Sequence, residues 1–196
     1  GSYTPSRTFD NLITNCTISG GSHCISFANV RNSTISNNTI TNGSNRGIIF
    51  SSRCRDNTVD RNTISLCGST GILMGYGAYR NTVSDNTILS VRGGEGQGIG
   101  LNVLANSNTI EYNTISNCPQ VGIRAGHGPN NNTIRYNTIT GNNLAAQAGI
   151  AILANWLKYY CLDALKYGDA LTANNNVCTN NTISNVGTGV YLGDEK

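Results

Sequence analysis

Apolar and polar residues alternate along this chain in a short phrase that recurs seven times. Each copy places two Ile or Val residues close together, mostly after Thr, with Asn between them: NLITNCTI (11–18), STISNNTI (33–40), NTVDRNTI (57–64), NTVSDNTI (81–88), NTIEYNTI (108–115), NTIRYNTI (132–139) and NNVCTNNTI (175–183). The first Ile or Val of successive copies is displaced by 22, 24, 24, 27, 24 and 43 positions. Repeats of about this period are typical of solenoid proteins.

A third apolar segment follows each phrase and usually begins with Gly. The segments are CISF (24–27), GIIF (47–50), GILM (71–74), GIGL (98–101), GIRA (122–125), GIAI (149–152) and GVYL (189–192). Three short strands per copy follow, with only alternate residues pointing inward. The sequence therefore predicts an all-β fold, a single right-handed parallel β-helix domain over residues 1–196 with about seven coils. The chain is also expected to be a fragment of a longer array.

In its NTIxxNTI phrasing the chain resembles the right-handed β-helix families. These include the pectate-lyase-like polysaccharide enzymes and, more closely, short-repeat proteins similar to the NosD copper-site maturation protein and to sugar-hydrolase-associated repeats. The resemblance covers about residues 9–193 and implies the fold. It implies little about function, because the repeated residues belong to the scaffold.

Stacked coils turn each column of the alignment into a ladder with a spacing of about 4.8 Å. We expect an asparagine ladder in a tight, left-handed corner, made of Asn38, Asn62, Asn86, Asn113 and Asn137, with Cys16 and Asn180 in the terminal copies. Cross-coil ion pairs are expected between Asp56 and Arg80, Arg61 and Asp85, and Glu111 and Arg135. Tyr112 and Tyr136 share a column and are expected to stack.

The seven cysteines form no C-x-x-C pair, which argues against a zinc site. Cys67 and Cys118 are equivalent but two coils apart, about 9.6 Å, too far for a disulfide. For the others the alternatives are a Cys161–Cys178 disulfide, because an insertion ends between the two, and free buried thiols, which we favour.

Composition narrows the range of partners. The 196 residues include 30 Asn and 23 Gly, charged residues make up only 12%, and the net charge is +3. The 13 Lys and Arg residues are scattered, so nucleic acid is not an expected partner. No apolar run approaches the roughly 18 residues of a membrane-spanning helix. From the fold we expect an extracellular or cell-surface location.

Insertions in the repeat indicate where function could lie. Two loops before the third strand are longer than the others, SVRGGEGQ (90–97) and TGNNLAAQ (140–147), and a longer connection follows the third strand of copy six. In that connection, helical spacing of apolar residues predicts a helical insertion at about 155–173, with a short helix near 156–167.

The predicted site lies on the outward face of the third strand. Its outward column consists of Ser26, Ile49, Leu73, Gly100, Arg124, Ala151 and Tyr191. We expect Arg124 to lie on an open floor between small residues, with no carboxylate in its column, and to bind an acidic sugar. The surrounding candidates are His127 and Tyr160 for catalysis and Glu95, Gln97, Asn102 and Gln147 for substrate binding. The resemblance adds that pectate-lyase-like enzymes use this face.

Three functions remain after these observations. The outward column contains no carboxylate, which argues against a glycoside hydrolase and against a calcium-dependent lyase. His23 and His127 are four coils apart, roughly 19 Å, so copper binding by both is excluded and no metal or cofactor is expected. The leading hypothesis is a domain that binds an acidic polysaccharide. The alternatives are a metal-independent polysaccharide lyase or epimerase, with Arg124 neutralising the sugar carboxylate and His127 or Tyr160 moving a proton, and a structural surface or stalk repeat.

Overall fold

Three parallel sheets of seven strands each run along the protein, because every repeat contributes one short strand to each sheet. The computed structural model describes residues 8–93, 95–141, 147–153 and 173–193. The first sheet contains β2 (Leu12–Thr14), β6 (Thr34–Ser36), β9 (Thr58–Asp60), β12 (Thr82–Ser84), β15 (Thr109–Glu111), β18 (Thr133–Arg135) and β21 (Val177–Thr179). The second contains β3 (Thr17–Ser19), β7 (Thr39–Thr41), β10 (Thr63–Ser65), β13 (Thr87–Leu89), β16 (Thr114–Ser116), β19 (Thr138–Thr140) and β22 (Thr182–Ser184).

The strands of the third sheet are longer than those of the other two. They are β4 (His23–Ala28), β8 (Arg46–Ser52), β11 (Thr70–Met74), β14 (Gln97–Leu101), β17 (Val121–Ala125), β20 (Ala148–Leu153) and β23 (Thr188–Gly193). A further pair, β1 (Thr8–Phe9) and β5 (Val30–Arg31), lies at the corner between the third sheet and the first. The predicted parallel β-helix of about seven coils with three strands per coil is confirmed.

The part of the chain that the structure describes contains no helix. The helix predicted near 156–167 lies outside the described residues, as does nearly all of the insertion at about 155–173. Over the described ranges no helix has the length and apolar character needed to cross a bilayer.

A narrow core fills the inside of the coils. Each strand supplies one or two inward residues, and the equivalent residues stack in register from coil to coil. Ile35 and Ile40, the two isoleucines of the second phrase, are both completely buried. This stacking explains how a chain with 38% apolar residues can form a continuous core.

Two asparagine ladders, rather than the single predicted one, stabilise the coils. In the first, Asn38, Asn62, Asn86 and Asn113 each use backbone N and side-chain Nδ2 to donate to Oδ1 of the next asparagine, and Asn137 donates in the same way to Asn181. The second, which we did not predict, consists of Asn57, Asn81, Asn108, Asn132 and Asn176.

The prediction that Asn180 belongs to the ladder was wrong by one residue. Asn181 occupies the ladder position, whereas Asn180 has φ 54° and turns the corner. The same holds in other coils: the left-handed residue directly precedes the buried asparagine, as in Arg61 (φ 52°) before Asn62. The corner and the ladder are therefore adjacent columns with different requirements.

Most of the predicted ladder contacts are present on the surface. Arg80 donates to both carboxylate oxygens of Asp56, at 2.7 and 2.9 Å, and Arg135 Nε donates to Glu111 at 2.7 Å. The Tyr112 and Tyr136 rings stack with centroids 5.1 Å apart. The predicted pair of Arg61 with Asp85 was wrong, because Asp60 directly precedes Arg61 and contacts it at 2.8 Å instead.

Six of the seven cysteines lie in the described ranges, and all six carry free thiols. Cys178 is one of them, so the alternative of a disulfide with Cys161, which lies outside those ranges, is not realised. Burial raises the pKa of Cys67 and of Cys118 to about 12. Such thiols remain protonated at neutral pH and are not nucleophiles.

Candidate functional site

The outward column of the third sheet has the predicted register. Ser26 pairs with Ile49, Ile49 with Leu73, and so on through Gly100, Arg124, Ala151 and Tyr191. All seven residues are described, and Arg124 is the single charged residue among them. The strand therefore presents a guanidinium toward the outside of the coil, between Gly100 and Ala151.

Arg124 lies along its own strand rather than projecting from the face. Its Nη1 donates to Oδ1 of Asn102 in the preceding coil at 3.5 Å, a long hydrogen bond. An ideal Cβ built on Gly126 would lie 3.0 Å from Arg124 Cζ, so the guanidinium occupies the space that a side chain at 126 would need. Two of the predicted site residues, Arg124 and Asn102, are thus in direct contact.

The predicted open floor around Arg124 was wrong, because the outward face is covered. Arg124 is only 8% exposed, and Leu73 and Ala151 in the same column are each 5% exposed. Ala151 also packs with Val121 and Leu153 in an apolar cluster on this face, separate from the core. The arginine is therefore held in a closely packed environment, in contact with Asn102.

Gln97 contributes to this covering. Its Oε1 lies 2.5 Å from the position of an ideal Cβ on Gly100, so the amide folds over that glycine. Within the described ranges this buried Oε1 has no hydrogen-bond partner, and neither does Oε2 of Glu95. The Glu95 backbone N–H is held by Ser69 Oγ at 3.4 Å. Both predicted residues thus lie beside the outward face with an acceptor atom that lacks a partner.

A strip of polar residues leads away from Gln97 across the preceding coils. Thr70 pairs with Gln97, Arg46 with Thr70, and His23 with Arg46, so the four residues form one register column. In each of them one buried polar atom has no hydrogen-bond partner among the described residues: His23 Nδ1, Arg46 Nε, Thr70 Oγ1 and Gln97 Oε1. We call this column the polar strip. Burying such atoms without a partner is costly, so the strip has unused hydrogen-bonding capacity.

The polar strip was missed in the sequence, although a signal is present. The residue at the start of the third strand is polar in the first four coils and becomes Val121 and Ala148 in the next two. At the first position of the strip, burial and then the positive charge of Arg46 lower the pKa of His23 below its ordinary 6.5. This imidazole is therefore neutral at neutral pH and can accept as well as donate a hydrogen bond.

The side chain of Gln147 is buried and forms a hydrogen bond within the protein. The residue is 2% exposed, and its Nε2 donates to the backbone carbonyl of Cys118 in the preceding coil. The amide therefore connects the residue directly before β20 to the preceding coil. A role of Gln147 in substrate binding stays a prediction.

His127 lies just after β17, at the corner where the chain leaves the third sheet. It is 7% exposed and adopts φ 64°, and its carbonyl accepts the N–H of Leu104 at 3.3 Å. His127 follows Arg124 by three residues, as the sequence requires, and its role in catalysis stays a prediction. Tyr160, the other proposed proton carrier, lies outside the described residues.

The described ranges contain no group of three His, Cys, Asp or Glu side chains arranged to hold a metal ion. The polar groups on the third sheet are the guanidinium groups of Arg46 and Arg124, the imidazole of His23, amides and hydroxyls. These groups donate and accept hydrogen bonds and stabilise negative charge. They suit recognition of a carboxylate and of neighbouring hydroxyl groups.

Comparison with protein-family models gives a match over residues 5–157 to the model described as "Right handed beta helix region". Comparison with curated protein sequences gives no match.

Among solved structures, the fold is similar to that of the periplasmic alginate epimerase AlgG, with a TM-score of 0.72 and 16% sequence identity. A double mutant of the same enzyme gives the same TM-score at 17% identity. In both comparisons the match covers 95% of this chain and 46% of the epimerase chain. The chain thus spans just under half the length of these structures, and at this identity the likeness concerns the fold.

Proposed function

The chain belongs to the right-handed β-helix family, and from this premise we propose that it is a polysaccharide-interacting domain that binds an acidic sugar chain on the outward face of its third sheet. The observation that carries the proposal is the position of Arg124 on this face, in contact with Asn102 and three residues along the strand from the column that forms the polar strip in the preceding coils. A guanidinium can bind a carboxylate through two parallel hydrogen bonds, and the amide adds a donor and an acceptor beside it.

Arg124 would recognise the charge of the sugar. Because Arg124 is only 8% exposed, binding of a carboxylate would require the side chains that cover the guanidinium to move. Its column contains no carboxylate that would repel an acidic ligand. Arg124 is therefore the residue of this column that would give a preference for an acidic sugar.

The polar strip would bind the sugar residues that lie beyond the one held by Arg124. Its four residues are spaced by one coil each, about 4.8 Å, and each has a buried atom able to form a further hydrogen bond. Glu95 adds an acceptor beside Gln97. A polymer with hydroxyl groups along its length supplies donors and acceptors to such a row. Binding would require the side chains that cover these atoms to move, Gln97 above Gly100 first among them.

Support also comes from the fold. The structures that the chain resembles are named as periplasmic alginate epimerases, and alginate is an acidic polysaccharide. The proposal accordingly includes a location outside the cytoplasm, extracellular or at the cell surface.

The test is binding of the purified protein to a panel of acidic and neutral polysaccharides. Arg124→Ala should weaken binding of a uronate polymer by about tenfold or more, because a charge-assisted hydrogen bond contributes about 1.5–3 kcal/mol. Neutral polysaccharides should bind weakly to both proteins. Unchanged affinity in the variant would refute the proposal.

Arg135→Ala is the matched control, since Arg135 lies on the first sheet and is paired with Glu111. The control removes the same charge from the net charge of the protein but leaves the third sheet intact. Its affinity should equal that of the wild type, and circular dichroism should confirm that both variants fold.

A metal-independent lyase or epimerase is the second candidate, favoured by the position of His127 three residues after Arg124, at the corner that follows the same strand. In this function Arg124 would neutralise the sugar carboxylate and so acidify the neighbouring C–H, while His127 would accept the proton. Tyr160 stays the alternative proton carrier.

Ultraviolet absorbance of an unsaturated product would detect a lyase, and proton NMR of the polymer would detect a change of sugar stereochemistry. His127→Gln should abolish either signal while leaving binding in place. Absence of both signals with every uronate polymer that binds would exclude the enzyme and leave the binding domain.

A further inference from the structure

A row of arginine and aromatic residues follows the corner between the third and first sheets. Phe9 pairs with Arg31, and single bridges continue the row through Arg55, Tyr79 and Asn106, one residue from each successive coil. We call Phe9, Arg31, Arg55 and Tyr79 the arginine stripe. The stripe lies outside the polar strip and the Arg124 column, and it is not part of the proposed polysaccharide site.

The same column is an asparagine ladder in the later coils. Asn130 N donates to Asn106 Oδ1 at 2.7 Å, and Asn174 N donates to Asn130 Oδ1 at 2.6 Å. At this corner an asparagine side chain therefore accepts a hydrogen bond from the backbone of the following coil. Coils two and three place Arg31 and Arg55 there instead, and a guanidinium has no acceptor to offer to the coil that follows it.

Positive charge is in excess along the stripe. Arg31 and Arg55 are bridged to each other, about one coil spacing apart, and like charges directly opposite on neighbouring strands repel. Both oxygens of the Asp56 carboxylate accept hydrogen bonds from Arg80, and Arg55 Nε reaches this carboxylate only at 3.9 Å. Arg55 and Arg80 thus share one aspartate, and Arg31 forms no ion pair with a described residue. Asp10 directly follows Phe9 in the chain, as Asp56 follows Arg55, and its carboxylate forms no ion pair with a described residue.

Aromatic rings hold the guanidinium planes in place. Arg31 Cζ lies 5.1 Å from the centroid of the Phe9 ring, and Arg55 Cζ lies 5.7 Å from that of Tyr79. Arg55 Nη1 also donates to the Tyr79 hydroxyl at 2.7 Å. Phe9 remains 52% exposed and the Arg55 side chain 27% exposed, so the stripe is accessible. Stacked arginines retain free edges that can bind a planar anion.

We infer that the arginine stripe is a second binding surface, one that takes the carboxylates of an acidic polysaccharide. Arg31 and Arg55 each bind a carboxylate edge-on, and the exposed ring of Phe9 packs against the apolar face of a sugar ring. The observation that carries this inference is the replacement of an asparagine ladder by adjacent, incompletely neutralised arginines.

A sugar polymer fits the stripe better than a nucleic acid. Duplex DNA carries a negative charge about every 1.7 Å along its axis, and proteins that bind it neutralise several phosphates at once. The stripe offers only two adjacent arginines with a spacing of about 4.8 Å, and the net charge of the whole chain is only +3. A carboxylate on each sugar residue of a polymer is a sparser charge pattern that matches the two arginines.

The experiment measures affinity for a polyuronate, a neutral polysaccharide and single-stranded DNA at several salt concentrations. The double variant Arg31→Gln with Arg55→Gln removes both charges but keeps an amide and most of each side-chain stem on its ring. It should weaken polyuronate binding by about tenfold or more and reduce its salt dependence, since two charge-assisted contacts are lost. Arg61→Gln, an exposed arginine paired with Asp60 at another corner, is the control and should behave as the wild type.

Arg124→Ala measured in parallel separates the two surfaces. A loss in the stripe variant alone supports the stripe and counts against the third-sheet site, and a loss in Arg124→Ala alone does the reverse. Losses in both variants support two surfaces on one polymer. Unchanged polyuronate affinity of a stripe variant that keeps the thermal stability of the wild type overturns the inference, as does tighter binding of DNA than of polyuronate at physiological salt. If the double variant does not fold, the single variant Arg55→Gln takes its place, with the same criteria.

Discussion

Removal of one asparagine from the middle of the first ladder should destabilise the whole solenoid. Asn86 is 1% exposed and forms five side-chain hydrogen bonds. Its Nδ2 donates to the carbonyls of Val59 and Ser84, both at 2.9 Å, and to Asn113 Oδ1 at 3.0 Å. Its Oδ1 accepts from both backbone N and Nδ2 of Asn62, each at 3.0 Å. Asn86→Ala removes all five.

The magnitude follows from what the substitution leaves behind. The Asn62 side-chain amide keeps its bonds to two backbone carbonyls, but its backbone N–H loses its acceptor in a buried position. An unsatisfied buried donor costs about 1–3 kcal/mol, and the other four lost hydrogen bonds contribute about 1 kcal/mol each net, so we expect a loss of about 5–7 kcal/mol. A loss of this size is a large fraction of the roughly 5–15 kcal/mol by which a domain is stable.

Equilibrium unfolding in urea, followed by circular dichroism, measures the change. The matched control is Asp85→Asn at the preceding residue, which is exposed and has φ 55°, a conformation that Asn tolerates well. The control should change the free energy of unfolding by less than about 0.5 kcal/mol. A loss below about 1 kcal/mol for Asn86→Ala, with an unchanged urea dependence, would refute the view that the ladder stabilises the coils.

Two further predictions concern the glycine column and a surface ion pair. Gly71→Ala should lower the free energy of unfolding by about 1–3 kcal/mol, because the new Cβ would lie 2.7 Å from a carbonyl oxygen and from a methyl carbon. Gly75→Ala should lower it less, since the nearest atom to its Cβ would be 3.6 Å away. Equal losses of the two variants in urea unfolding would contradict this explanation. Hydrogen bonds from Arg80 hold the pKa of Asp56 below its ordinary 3.8, so the pair's stabilisation is present above that value and is lost as pH falls through the folded-state pKa. The melting temperature of the wild type should therefore exceed that of Asp56→Asn at neutral pH, and the difference should shrink below about pH 4; a constant difference would exclude the pair as its cause.

The coil register was predictable because the alternation of inward and outward residues is fixed once a phrase repeats. Ile35 and Ile40 could be placed in the core, and Arg124 in its column, from spacing alone. The exchange of Asn180 and Asn181 has a physical reason. Asparagine suits both a left-handed corner and a buried amide ladder, so the sequence alone does not decide which of two adjacent asparagines occupies which position.

The closed packing around Arg124 was not predictable from the same spacing. Whether an outward residue is exposed depends on side chains from neighbouring columns, such as Gln97 folding over Gly100. Rotamers of this kind follow from local packing and not from the repeat. The arginine stripe lies in a corner column, where neither sheet alternation nor the NTIxxNTI phrase gives a register.

The two asparagine ladders also give the solenoid a direction. In both of them the bonds between asparagines run one way: each asparagine donates to the asparagine of the coil that follows it and accepts from that of the coil before it. A coil is therefore an interchangeable unit with a donor side and an acceptor side. A tandem copy of residues 57–80 would find a matching partner on each side, and the scaffold could be lengthened in steps of one coil, about 4.8 Å at a time.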